Sequence, residues 1–290
     1  MRHAFPTSVL VFALLLSSPS LGADIDWGKV DAALGKSASV LGEVHRYGIP
    51  RSDLQVTIDG VVIKPALALG GWLGFEPMAG GALVMGDLVL TETEIEPVMT
   101  KLLGSGIEVT ALHNHLLRAN PATYYMHVHG HGDPVAMATA IRTALGDSKT
   151  PFGPPATPAP QATQIDLDTL ALDEAIGTKG KVNGGVYQFS VPRKDSVTEG
   201  GTLVPPAMGT GTVINFQPTG GGKAAMTGDF VITANEVNPV IRALRENGIE
   251  VTAIHSHMLN EQPRLLANDD PQKLAKGLQA ALEMTATARS

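Results

Sequence analysis

The chain has 290 residues, 43% of them hydrophobic and 17% charged, with a formal charge of −7 and no cysteine. That leaves room for two ordinary domains and excludes intrinsic disorder. It also excludes disulfides and thiolate chemistry, and with no long basic run it excludes a nucleic-acid backbone as the main partner.

Residues 1–23 read as a secretory signal peptide. Arg2 and His3 precede VLVFALLL, an apolar run too short to span a bilayer, and the small residues of SSPSLGA follow. Cleavage is expected near Gly22 or Ala23, giving a periplasmic or secreted protein. No later run approaches the ~18 apolar residues of a transmembrane helix. With no cysteine to acylate, the processed chain is not expected to be a lipoprotein.

A short helix over 25–34 comes next. Strand-like segments follow at 39–49, 54–63, 72–78 and 82–90, with Asp59-Gly60 as a hairpin turn. Ile95, Val98, Met99 and Leu102 then fall at i, i+3, i+4 and i+7 and predict an amphipathic helix. Pro97 belongs in its first turn, since an interior proline costs about 3 kcal/mol, and that makes Thr93 the cap. Gly106 stands where a left-handed stop is wanted. A strand bearing His113 and His115 follows, then an Asn120-Pro121 turn and a second strand-like run to His131. The closing helix, 134–145, has Pro134 at its first position. Residues 147–164, DSKTPFGPPATPAPQATQ, read as a linker.

The second half repeats the first. Residues 86–117 align without a gap with 228–259, an offset of 142, and seventeen of the 32 positions are identical. The offset also carries Pro50-Arg51-x-Asp53 onto Pro192-Arg193-x-Asp195; both arginines are read as partners of a carboxylate or of backbone carbonyls. Thr93, Pro97 and Gly106 recur as Asn235, Pro239 and Gly248. Module 1 is assigned to 24–146, module 2 to 165–284 and a tail to 285–290. The fold class is α+β: two tandem homologous modules, each a mostly antiparallel or mixed sheet with packed helices, arranged about a pseudo-twofold axis. A cupin-like barrel competes, but the amphipathic helix within each module argues against it.

Chemistry concentrates in residues 106–133, GIEVTALHNHLLRANPATYYMHVHGHGD, which hold five of the nine histidines. Residues two apart on a strand face the same way. His113 and His115 thus share a face, as do His127, His129 and His131. A hairpin of the two runs brings these imidazoles together, and imidazole suits zinc, copper, iron and nickel. The first candidate set is His113, His115, His127 and His129, holding one divalent transition metal, zinc or copper. His131, Arg118 and Tyr125 are further candidates. The bland alternative is a polar cleft whose imidazoles bond to one another and to the backbone. A second geometry gathers His113 and His115 with their second-copy equivalents His255 and His257 at the axis. Module 2 is five residues shorter after Leu259 and has no counterpart of the later histidines, so the site is placed in module 1.

Other motifs carry less. Asp87 and Asp229 occur in both copies, as do Glu94 and Glu236 at helix starts, and are read as structural. Glu108 alternates away from the histidine face. No Gly-x-Ser-x-Gly elbow, P-loop or dinucleotide fingerprint is present, so no nucleotide cofactor is expected.

PRSDLQVTIDGVVIKPALALGGW, MGDLVLTETEIEPVM, GIEVTALHNHLLR and YYMHVHGHGDP together resemble the LppY/LpqO family of exported bacterial proteins, over nearly the whole mature chain. The resemblance implies an envelope location and peptidoglycan or another envelope ligand. The chain departs from the lipoprotein members in lacking a cysteine. Three roles stay open: a metalloprotein capable of metal-assisted hydrolysis, a non-catalytic envelope binder, and a periplasmic metal carrier.

Overall fold

The structure is a computed structural model and describes residues 25–153, 165–270, 282, 283 and 285. The signal peptide, most of the linker and nearly all of the second closing helix lie outside the described residues.

Module 1 runs α1 (Trp27–Leu34), β1 (Ser39–Leu41), β2 (Val44–Pro50), β3 (Thr57–Ile58), β4 (Val61–Val62), α2 (Pro65–Ala68), β5 (Gly70–Met78), β6 (Gly81–Thr91), α3 (Glu92–Gly104), β7 (Glu108–His113), β8 (Thr123–Gly132) and α4 (Pro134–Ala144). Module 2 runs α5 (Thr169–Ile176), β9 (Lys181–Asn183), β10 (Val186–Pro192), β11 (Thr198–Glu199), β12 (Thr202–Leu203), β13 (Gly211–Gly220), β14 (Lys223–Thr233), α6 (Ala234–Glu246), β15 (Ala253–His255), β16 (Glu261–Gln262) and β17 (Leu265–Asp270). The fold is α+β with two repeated modules. Each has a six-stranded antiparallel sheet, ordered β1-β2-β5-β6-β8-β7 in one and β9-β10-β13-β14-β17-β15 in the other. Equivalent strands hold equivalent places.

Alternation along β6 explains the layers. Val84, Leu88 and Leu90 point to the helix side and bury with Leu73, Phe75, Met126 and Val128 under α1, α3 and α4. Leu83 and Met85 point the other way and pack with Val231, Met258 and Leu265 of module 2. The sheets therefore meet on their inner faces, with the helices outside. The β3–β4 hairpin and α2 lie across module 2: Gln217 accepts from Lys64 N and donates to Val62 O, and Asn215 and Thr227 both donate to Leu67 O.

Helix α3 departs from the sequence reading. Its N-cap is Thr91, not Thr93, in a capping box with Glu94, so Pro97 lies inside the helix. The reason is Arg51. Its buried guanidinium donates to both Glu94 oxygens at 2.7 and 3.1 Å, to Asp53, and to Val89 O. Glu94 also accepts from Thr91 N and Lys149 N. This network fixes the helix start two residues early and overrides the proline preference. Arg193, Asp195, Glu236 and the Thr233 cap repeat it in module 2. The stops are as expected: Gly106 has φ 78°, and its N–H and that of Ile107 close on Leu103 O and Leu102 O. Residues 147–153, assigned to the linker, pack on module 1, where Asp147 pairs with Lys101 at 2.7 Å.

Among the described residues no helix is long and apolar enough to cross a membrane.

Candidate metal centre at the module seam

The histidine strands pair as a hairpin, but not in simple alternation. Between β7 and β8 the pairs are Glu108↔His129 and Val109↔Val128, then Ala111↔His127, Leu112↔Met126 and His113↔Tyr125. Thr110 is the extra residue, a β-bulge. Paired residue for residue with no bulge, the same chain would put His113 on the face of Val109, under the helices. With the bulge, His113 joins His127 on the inner face. Glu108 likewise falls beside His129 and not away from it, correcting the alternation read from the sequence. Thr110 is buried and its Oγ1 donates to His257 O at 2.7 Å, so the bulge is tied to module 2.

The chain then turns. Asn114 Oδ1 accepts from Leu116 N at 2.7 Å, and His115 folds back until its Nε2 lies 2.8 Å from His113 Nε2. In module 2, β15 ends on His255, the equivalent of His113. The two rings stack with centroids 3.5 Å apart. Equivalent residues in contact lie on a symmetry axis, so the pseudo-twofold passes between them. His127 is parallel to His113 at 5.1 Å and lies 4.6 Å from His257.

One ring nitrogen from each of His113, His115, His127 and His255 lies within 4.8 Å of the others. This set merges the two geometries read from the sequence. It takes three ligands from module 1 and the fourth from module 2. His129 stands apart, 3.1 Å from Glu108 and 3.5 Å from the buried Glu199. The exposed His131 touches His129 and not the cluster. Arg118 is engaged by Asp59 and Glu250, each at 3.2 Å, in exposed ion pairs. Tyr125 packs its ring edge-on to His115 at 4.0 Å while its hydroxyl donates to Ala68 O.

Electrostatics keep the cluster neutral. Burial, followed by the fields of His115 and His257, pushes His113 down to about 2. Burial and neighbouring histidines hold His127 and His255 well below the usual imidazole range. Burial lowers His115 as well, against the opposing fields of Asp229 and Asp87. A neutral imidazole has one nitrogen lone pair to give a metal. His113 Nδ1 and His127 Nε2 are buried with no hydrogen-bond partner in the protein, an arrangement that costs about 1–3 kcal/mol per group unless something meets it.

Asp229, His255 and His257 form a second group with donor atoms within 4.8 Å. Asp229 and Glu199 were not read as site residues. Repetition in both copies hid Asp229; Glu199 lies in module 2, and nothing in the chain pointed to its approach to His129.

No curated protein matches the chain. Two solved structures are similar at low scores. One is a trimeric bacterial microcompartment shell protein, PduB, at 13% identity and TM-score 0.22, covering 87% of this chain and 95% of that one. The other is EtuB from Clostridium kluyveri, at 10% identity and TM-score 0.20, covering 86% and 88%. Similarity this low carries no functional argument. A family model described as Domain of Unknown Function (DUF1259) matches residues 28–147 and again 170–284, one match per repeat. None of the comparisons points to LppY/LpqO, so the resemblance read from the motifs is corrected to that family. The peptidoglycan ligand implied by the resemblance rested on it alone. Matched across both repeats, the chain belongs to the DUF1259 family.

Proposed function

We propose that this protein holds one transition-metal ion, zinc or copper, between its modules on His113, His115, His127 and His255, in an extracytoplasmic setting. The observation that carries this reading is the convergence of four neutral imidazoles, two buried and two half-buried, from both halves of the chain. Tetrahedral coordination with bonds of about 2.0–2.1 Å sets nitrogens about 3.3 Å apart; donors within 4.8 Å reach that by small side-chain rotations. Four protein ligands close a tetrahedral site, whereas hydrolytic zinc keeps a position open. The set therefore favours holding or carrying an ion over metal-assisted hydrolysis.

Elemental analysis of full-length protein purified without a His-tag tests this. At least one zinc or copper per chain is expected, with one ion fewer in His127→Ala, fewer in His255→Ala, and an undiminished count in His129→Ala. A chain that purifies metal-free and takes up neither ion at micromolar concentration overturns the reading. An undiminished ion count in His127→Ala does so as well.

A further inference from the structure

The seam is asymmetric where the duplication would make it symmetric. His257 is the module 2 equivalent of His115, and Asp229 that of Asp87. In the ladders, Asp87 on β6 faces His127, whereas Asp229 on β14 faces Asp269. The duplication therefore does not repeat His127 opposite Asp229.

His257 is held in one orientation. Its Nδ1 lies 3.0 Å from Gly209 O, and a carbonyl only accepts, so Nδ1 donates there and Nε2 is the atom turned to the seam. A backbone carbonyl on the far nitrogen is the usual way a ligating histidine is oriented. Nε2 is buried, makes no hydrogen bond, and faces Asp229 Oδ2 at 3.6 Å. A cation between these two atoms would be held by both. The spacing is long for a charge-assisted hydrogen bond of about 2.7–2.9 Å. It is close to the edge of about 3.3 Å between two ligands of one ion with bonds near 2.0–2.2 Å.

We infer that the seam takes a second divalent transition-metal ion, on Asp229, His257 and the shared His255, beside the first. The inference rests on the four-imidazole reading, since His255 belongs to both donor sets. Both ring nitrogens of His255 are buried; one binds each ion, and the N–H proton it still carries is released to solvent. The two ions differ in kind. The first is enclosed by imidazole. The second has three protein donors, one a carboxylate, and keeps a coordination position for water or a small anion. This is the position at which exogenous chemistry at the seam would take place.

Cobalt(II), with visible bands that report its ligands, is the probe. Untagged full-length protein is titrated with it and the ions counted by native mass spectrometry. Two per chain are expected in the wild type, one in Asp229→Asn and one in His257→Gln, with Asp229→Glu regaining the second. Azide should shift the visible bands of the wild type and leave those of Asp229→Asn unchanged. Far-UV circular dichroism checks that each variant is folded, and the two isosteric substitutions serve as independent routes to the same count. One ion in the wild type, unchanged by both substitutions, overturns the second site and leaves the first standing. Two ions in every variant overturn its placement. No ion at all overturns both readings together.

Discussion

At the scale of single residues, Arg51 heads the largest fully buried side chains among the described residues, ahead of any apolar one. It is fully buried and satisfied by Glu94, Asp53 and Val89 O. Replacing it with Met leaves Glu94 buried and unpaired, and breaking such a pair costs about 3–5 kcal/mol; chemical denaturation should show a loss of that order. Burial alone would raise Glu94, but the Arg51 hydrogen bonds and the Thr91 and Lys149 amides outweigh it and hold its carboxyl below the usual value. A depressed folded pKa gives stability that is present above the unfolded value and lost as pH falls through the folded one. The thermal midpoint should therefore drop below about pH 4.3, and drop less steeply in Glu94→Gln. The pairing of Arg51 with a carboxylate was legible, because Pro-Arg-x-Asp recurs in both modules. The identity of that carboxylate was not. Glu94 lies 43 positions away, and no local pattern connects the two.

At the scale of elements, strand periodicity showed the hairpin but not its bulge. GIEVTALHNH alternates so regularly that nothing marks Thr110 as the residue to skip. The skip is decided across the seam, where Thr110 Oγ1 finds His257 O. A one-residue slip turns every following side chain to the opposite face. Thr110 is the residue that absorbs such a slip, so deleting it leaves Ala111 opposite His127 and His113 opposite Tyr125 in a plain ladder, and metal binding should be retained. Thr110→Val keeps the bulge and loses one hydrogen bond, worth about 1 kcal/mol, and should retain the ion with a slightly lower midpoint. If a folded deletion variant loses the ion, the pairing of His113 with Tyr125 is not what brings the imidazoles together. The start of α3 has a similar lesson. Pro97 argued for a later cap, but a capping box anchored by a buried arginine sets the boundary. Propensity yielded to a tertiary contact that a local window cannot contain.

At the scale of the whole molecule, the offset of 142 made the duplication and its axis legible, and with them the fold class. It also suggested that the degenerate copy is a passive partner. The structure places β15 against β7, so that His255 of that copy stacks on His113. Loss of the later histidines in module 2 is thus no sign that it left the site. Because the four imidazoles come from both modules, an ion bound to them stabilises the joined state and not either half. Ligand linkage gives about 2.7 kcal/mol at a free-ion concentration of 100 times Kd. At roughly 2–4 °C per kcal/mol for a chain of about this size, metal loading should raise the midpoint by about 5–10 °C, and a chelator should reverse it. The exposed Arg118–Glu250 pair also crosses the seam, yet screened surface pairs contribute about 0–1 kcal/mol, so Arg118→Ala should leave both the midpoint and its metal response nearly unchanged. In His255→Ala the metal-induced rise should vanish although every module 1 histidine is intact. If instead that variant keeps the full rise, the ion is bound within module 1 alone, and the seam is only where two copies of one fold meet.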